Sequence, residues 1–192
     1  MAKIDTSDFR PGVNLRIDGE IYSIVEFQHV KPGKGGAFVR TKLKGITNDK
    51  NIEKTFRSGE KVEGVRVERR AAQFLYSDTG LWHFMNQETY EQFPLEKSKM
   101  RKPEFISEGD TCTLVVDAEL EEVLYAEPAN HITTRVEKSE PGIRGDTAQG
   151  GASKPATLAS GAVIQVPLFV NEGDEIKVDT RTGEYIERVK TN

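Results

Sequence analysis

Short runs that alternate apolar and polar residues dominate the chain, and turn residues separate them. Residues 13–17 alternate in this way, Asp18-Gly19 follows, and residues 21–27 alternate again. Asp-Gly between two such runs is a strong hairpin signal, because both central residues of a type I′ turn need a positive φ. The pattern therefore predicts a β-hairpin near the start of the chain.

Further short runs continue to the end of the chain, and no segment shows a long period of 3.6 residues. Predicted strands occupy residues 37–40, 52–56, 65–76, 81–85, 111–116, 122–126, 132–136, 163–170, 175–178 and 184–189, with a turn at 78–80. Only residues 95–102 favour a helix, and it is short. The sequence therefore predicts an all-β chain built from small barrels.

One pattern occurs twice, 64 residues apart. Residues 105–110 read Phe-Ile-Ser-Glu-Gly-Asp and residues 169–174 read Phe-Val-Asn-Glu-Gly-Asp. The spacing favours two similar β-domains in the middle and C-terminal thirds, although chance reuse of a common hairpin turn would give the same letters. Five-stranded barrels of the OB type suit this size.

Composition and charge narrow the class of protein. The 192 residues include one Cys, three His, 27 Lys+Arg and 31 Asp+Glu, for a net charge of −4. Division into residues 1–65, 66–128 and 129–192 gives net charges of +3, −6 and −1. Phosphate contacts need a local positive potential, so an acidic average does not exclude an RNA partner. Ordinary solubility patterning would produce the same asymmetry.

Several classes of protein are disfavoured by what the sequence lacks. The first residues are polar, without the apolar stretch of a signal peptide, and no apolar run approaches the length of a membrane span. Gly33-Lys34 lacks the spacing of a phosphate-binding loop, no Gly-x-Ser-x-Gly motif occurs, and the three His are scattered. We therefore expect a cytoplasmic protein with no catalytic residues, metal or cofactor.

The most informative segment is Lys31-Pro32-Gly33-Lys34-Gly35-Gly36-Ala37, which lies between two predicted strands. Proline blocks ladder pairing and the glycines permit positive φ, so an exposed hairpin loop with Lys34 at its tip is expected. Its amine can also be covalently extended. A plain solvated loop is the alternative. Nearby cations could follow a phosphate backbone: Lys31, Arg40, Lys42 and Lys44.

A second glycine-rich segment covers residues 141–155, with Arg144 and Lys154 as its cations. Successive backbone N–H groups in such a segment can form an anion-binding nest. Loops of this length in compact domains are either functional or simple connections.

With these loops in place, the sequence closely resembles the bacterial elongation factor P family over essentially its whole length. The segments that carry the resemblance are residues 9–12, 31–37, 55–61, 88–92, 142–147, 154–158 and 178–185. The resemblance implies a KOW/SH3-like barrel over residues 1–65, followed by OB barrels over residues 66–128 and 129–192. It also implies an L-shaped, tRNA-like arrangement.

The resemblance further implies a monomeric factor that binds both ribosomal subunits between the P and E sites and relieves stalling at consecutive prolines. Lys34, extended by a lysine-modifying enzyme, would reach the CCA end of the P-site peptidyl-tRNA. The loop bearing Gly142, Arg144, Gly145, Asp146 and Thr147 would approach the E-site codon. Two C-terminal residues, Tyr185 and Arg188, would face RNA.

Two questions stay open from the sequence. Some lysine-modified relatives carry a bulkier residue at the position of Gly36, so the extension of Lys34 could be a β-lysyl group, a shorter amino alcohol, or absent. An OB-type RNA-binding paralogue without stall rescue is the competing function. Such a module would stack bases on exposed aromatics, for which Tyr22, Phe38 and Trp82 are candidates that equally suit barrel cores.

Overall fold

The structure is a computed structural model and describes residues 2–141 and 152–190. Its strands are β1 Ala2–Asp5, β2 Asn14–Ile17, β3 Glu20–Val30, β4 Phe38–Gly45, β5 Asn51–Arg57, β6 Lys61–Gly64, β7 Val67–Asp78, β8 Leu81–Asn86, β9 Gln92–Glu96, β10 Thr111–Asp117, β11 Glu122–Pro128, β12 His131–Ser139, β13 Ser153–Leu158, β14 Val163–Pro167, β15 Glu175–Asp179 and β16 Glu184–Arg188. Single-turn 3₁₀ helices cover Thr6–Asp8, Lys97–Lys99 and Pro103–Phe105.

The described strands form three sheets, which confirms the all-β prediction. The first sheet has six strands in the order β1-β6-β2-β3-β4-β5. The second runs β11-β10-β7-β8-β9 and the third runs β14-β13-β12-β15-β16. When the strands of each five-stranded sheet are numbered one to five along the chain, the second sheet, read from β11, has the order 5-4-1-2-3. The third sheet has the same order when it is read from β16. The same topology is thus used twice, as the repeated sequence pattern suggested.

Local turn chemistry explains the first hairpin. Asp18 and Gly19 have φ of 51° and 83°, and the register places Ile17 opposite Glu20. Both central residues of the turn therefore have the positive φ that a two-residue type I′ turn needs. The predicted hairpin is confirmed.

The helix predicted over residues 95–102 is wrong. Strand β9 continues to Glu96, where Leu95 pairs opposite Trp82, and only one 3₁₀ turn follows at Lys97–Lys99. Leu95 is buried, so burial on the sheet decides the conformation rather than the mild helix preference of the lysines. None of the described helices has the length and apolarity that crossing a membrane requires.

The chain divides into two compact units. One unit comprises Met1–Arg69 and Val115–Tyr125, and the other comprises Arg70–Leu114 and Ala126–Asn192. In the first unit the barrel core is built around Phe9 and Phe56, whose rings meet edge to face at 5.3 Å. In the second unit one core gathers β12–β15 side chains together with Phe105 from the preceding segment.

A buried ion pair lies within the first unit. Asp117, at the end of β10, is 1% exposed, and its Oδ2 accepts a hydrogen bond of 2.6 Å from Arg16 Nη2. Its Oδ1 accepts the backbone N–H groups of Glu119 and Leu120. Arg16 also donates from Nε to Glu63, at 2.9 Å. The carboxylate is therefore fully engaged, which is the condition under which a buried charge is tolerated.

Candidate RNA-contact sites

The tip loop joins two long paired strands. Strand β3 has 11 residues and β4 has eight, and their last pair is Val30 opposite Phe38. Beyond that pair, every residue from Lys31 to Gly36 is exposed. Gly35 has φ of 121°, a conformation that L residues rarely adopt. The predicted glycine-rich hairpin loop is thus present.

Lys34 lies at the exposed end of this loop. Its side chain makes no hydrogen bond or ion pair with any residue that the structure describes. A Cβ added at Gly33 or Gly36 would meet nothing within 4 Å, so open space surrounds the lysine on both sides along the chain. The amine is therefore accessible from outside the barrel.

Three predicted cations share one face of β4. Strand alternation places Arg40, Lys42 and Lys44 outward, between buried neighbours. Lys42 Nζ lies 2.9 Å from the carboxylate of Glu26, which raises the pKa of Lys42, and Lys44 lies 3.9 Å from Asp49. Exposed pairs of this kind are worth little, so these amines can exchange a carboxylate for a phosphate. Arg40 lies over the ring of Phe38 at 5.9 Å.

The structure also brings the two C-terminal candidates together. Tyr185 and Arg188 both lie on β16, and the same residue, Phe169, touches each of them. The guanidinium of Arg188 lies 5.5 Å from the Phe169 ring centroid, and Tyr185 meets that ring edge to face at 6.5 Å. Lys34 and this cluster belong to different compact units.

Phe169 was not among the residues singled out from sequence as a site, although it begins the second copy of the repeated pattern. Of the aromatics considered for stacking, Tyr22 is buried, and Trp82 packs against Phe74 with ring centroids 4.7 Å apart. Phe169 instead is 58% exposed. The repeated pattern draws attention to Phe169, but it does not indicate exposure, because Phe105 at the equivalent position is buried.

The second glycine-rich segment gives a partial outcome. The residues predicted to approach a codon lie outside the described residues: Gly142, Arg144, Gly145, Asp146 and Thr147. Lys154 is described and corrects one expectation, because it lies in β13 and is buried. Its Nζ donates to the Glu140 carbonyl at 2.8 Å. This lysine therefore anchors the strand rather than serving as a free cation.

Other reactive groups have structural surroundings. Within residues 2–141 and 152–190, no three His, Cys, Asp or Glu side chains are grouped as metal ligands would be. Cys112 is buried, and burial raises its pKa to about 12, so its thiol stays protonated. His83 Nε2 lies 3.0 Å from Asp78, and its ring stacks on Tyr76.

Family models match each part of the chain. The elongation factor P KOW-like domain matches residues 5–62, the elongation factor P OB domain matches residues 67–119, and the elongation factor P C-terminal domain matches residues 132–188. The expected KOW-like and OB fold is thereby confirmed.

Whole-chain relatives agree. The chain is 53% identical to elongation factor P of Azobacteroides pseudotrichonymphae, covering 96% of this chain and 98% of that protein. It is 52% identical to elongation factor P of Caldanaerobacter subterraneus subsp. tengcongensis, covering 97% and 100%. Among solved structures, the protein described as eukaryotic translation initiation factor 5A from Methanococcus jannaschii is 27% identical, with a TM-score of 0.51, over 60% of this chain and 86% of that one.

A KOW-like barrel with an exposed lysine loop, joined to OB modules, defines a β-barrel translation factor. The relatives identify which one: the chain belongs to the elongation factor P family. Its role is therefore that of a translation elongation factor, which acts with the ribosome and is not a classical enzyme.

Proposed function

We propose that this chain binds the ribosome between the P and E sites and stimulates peptide-bond formation at consecutive prolines. Lys34 would contact the CCA end of the P-site peptidyl-tRNA. The observation that carries this proposal is the tip loop, in which Lys34, without a hydrogen bond or ion pair to any described residue, stands at the exposed end of a long paired hairpin. A hairpin with an exposed tip loop can enter a narrow site from which a whole barrel is excluded by its size.

The mechanism needs positioning rather than proton transfer. Proline is a poor nucleophile for geometric reasons, and a polyproline nascent chain is stiff. A factor that holds the tRNA end in a productive pose lowers an entropic barrier, and effects of this kind reach several kcal/mol. An exposed lysine that makes no hydrogen bond or ion pair with the described residues suits this task, because it supplies charge and hydrogen bonds without being a catalytic acid or base.

The accessible amine also supports a covalent extension. In the proposal, a lysine-modifying enzyme lengthens Lys34, and the added group reaches further along the tRNA end. Flanking glycines leave room on both sides of the lysine for the active site of such an enzyme. The chemical nature of the extension is a separate question, for which the mass of the peptide over residues 31–40 from the native host is the direct measurement.

The remaining contacts of the proposal follow the charges. Arg40, Lys42 and Lys44 would run along an RNA backbone beside the hairpin, and Tyr185 and Arg188 would meet RNA at the other end of the chain. Residues 142–147 would approach the E-site codon. We further propose domains at residues 1–65, 66–128 and 129–192, and a monomeric, cytoplasmic protein without a membrane partner.

The test is rescue of translation through a Pro-Pro-Pro reporter. Wild type, Lys34→Ala and Lys34→Arg are compared in a reconstituted translation system, with Lys50→Ala as the matched control. Lys50 is also an exposed loop lysine of the first barrel. We expect Lys34→Ala to abolish rescue while Lys50→Ala keeps it. Equal rescue by wild type and Lys34→Ala would sink the Lys34 mechanism.

The same proteins distinguish the competing function. An RNA-binding paralogue without stall rescue would bind generic single-stranded RNA in a salt-sensitive way, with no preference for ribosomes. Sedimentation with ribosomes, compared with binding of a labelled oligonucleotide across a salt series, separates the two. Preferential binding to ribosomes supports the proposed function.

A further inference from the structure

The repeated pattern folds into the same turn twice. In residues 105–110 and 169–174, the backbone N–H of the third residue donates to the carboxylate of the sixth, at 2.7 and 2.9 Å. Both glycines have φ of 88°, and each glycine N–H donates to a carbonyl of the first strand of its sheet, at 2.8 and 2.9 Å. The two segments are structural equivalents, so their phenylalanines can be compared directly.

The two phenylalanines differ in what covers them. Phe105 is 7% exposed and belongs to the core formed by β12–β15 side chains, so the equivalent position in the first copy is buried against a neighbouring barrel. Its ring ends 3.7 Å from the place where a Cβ on Gly183 would lie. Phe169 has no such cover within the described residues and is 58% exposed. The same apolar position is therefore buried in the first copy, at Phe105, and exposed in the second, at Phe169.

The surroundings of Phe169 indicate what it could bind. The Arg188 guanidinium lies 5.5 Å from its ring centroid, within the range of a cation–π contact. Asp174 approaches the same guanidinium at 3.5 Å, and its carboxylate is held by the Asn171 N–H of the turn. Arg188 remains 47% exposed. The arginine is therefore contacted from two sides while about half of its side chain stays exposed.

We infer that Phe169 completes an RNA-contact surface with Tyr185 and Arg188. In this surface the ring holds the guanidinium toward a phosphate and stacks against the base or sugar of the adjoining nucleotide. Proteins that bind single-stranded RNA use aromatic rings together with arginines, and stacking on an aromatic ring accepts any base. The inference rests on the proposed function, which places Tyr185 and Arg188 against RNA, and it adds Phe169 as a contact and positioning residue.

The experiment measures binding of the full chain to 70S ribosomes that carry peptidyl-tRNA in the P site. The variants are Phe169→Ala, Phe169→Leu, Phe169→Tyr and Arg188→Ala. The matched control is Val163→Ala, since Val163 is 64% exposed on the same barrel. Because the side chains of Phe169, Arg188 and Val163 are all exposed, we expect unchanged unfolding midpoints for all of these variants.

We expect Phe169→Ala and Phe169→Leu each to weaken binding about 5- to 20-fold, in keeping with the loss of one stacked base. Phe169→Tyr should stay within about twofold of wild type because it keeps the ring. The Phe169→Ala, Arg188→Ala double variant should bind more weakly than Arg188→Ala, but by less than the product of the two single effects, since the ring acts partly by stacking and partly through the arginine. Wild-type binding by Phe169→Leu would overturn the stacking role.

Two further outcomes separate this inference from the proposed function. If Arg188→Ala weakens binding and Phe169→Ala does not, only the role of Phe169 fails. If both variants bind as wild type, RNA contact by this face fails as well, while the Lys34 test is unaffected. A photoreactive phenylalanine analogue at position 169 identifies the partner: cross-linking to RNA supports the inference, and cross-linking to a ribosomal protein overturns it.

Discussion

Loss of Arg16 should destabilise the first unit far more than a part-exposed arginine normally would. Arg16→Ala leaves the Asp117 carboxylate, which is 1% exposed, with the backbone N–H groups of Glu119 and Leu120, at 3.1 and 3.2 Å, as its remaining donors among the described residues. Removing one partner of a buried ion pair, which leaves the other charge unpaired, lowers the free energy of unfolding by about 3–5 kcal/mol. Since Arg16 itself is 21% exposed and some water can enter, we expect a value near the lower limit.

The other partner of Arg16 provides the matched control. Glu63 accepts from Nε at 2.9 Å, but its side chain is 27% exposed. Glu63→Gln removes one charge from a pair that water screens, and should cost at most about 1 kcal/mol. A second substitution, which removes the charge of Asp117, tests whether the unpaired carboxylate causes the loss of stability. In the Arg16→Ala background, Asp117→Asn should restore about 1 kcal/mol or more, because the stranded group is then uncharged.

Urea unfolding followed by far-UV circular dichroism measures these free energies. The fluorescence of Trp82, the single tryptophan, reports separately on the second unit. A loss of stability below about 1 kcal/mol for Arg16→Ala, or equal losses for Arg16→Ala and Glu63→Gln, would refute the reasoning. So would an Arg16→Ala, Asp117→Asn variant that is less stable than Arg16→Ala alone.

Three further predictions test the loop, the thiol and the repeat. Gly35→Ala should lower stall rescue, since a φ of 121° is strained for alanine and the loop must change shape to relieve that strain, whereas Gly33→Ala, in open space without a positive φ, should keep full rescue in the same reporter assay. Cys112 should resist alkylation between about pH 7 and pH 9 in the native chain, because its pKa near 12 keeps the thiol protonated, and should react in urea, as mass spectrometry would show. Phe105→Ala should cost about 3–5 kcal/mol of unfolding free energy. Phe169→Ala should stay within about 0.5 kcal/mol in the same urea experiment, and equal losses would contradict the difference in burial.

Much of the fold follows from local signals in the sequence. Alternation and the Asp-Gly turn predicted the first hairpin, and the glycines around Lys34 predicted an exposed tip loop, because both depend on the conformational preferences of the residues themselves. Strands β1, β6, β9 and β13 were not predicted. All four are short. β1 pairs with β6 from the other end of the first barrel, β9 pairs with β8, and β13 pairs with β12 and β14, so their neighbours rather than their own pattern decide their conformation.

The candidate site divides in the same way. The position of Lys34 at a loop tip follows from the proline and glycines around it, and the outward face shared by Arg40 and Lys42 follows from strand alternation. The burial of Lys154 and the closeness of Phe169 to Arg188 do not, because they depend on contacts between residues that are apart in the sequence.

By itself, the sequence determined an all-β chain, a repeated turn in its middle and C-terminal thirds, and an exposed lysine between glycines. Those features are encoded in backbone preferences and in the two-residue period of strands. Only the tertiary structure decided that one phenylalanine of the repeat is buried and the other exposed. Burial depends on which surface a turn meets, and the equivalent residues of two similar turns, Phe105 and Phe169, meet different surfaces.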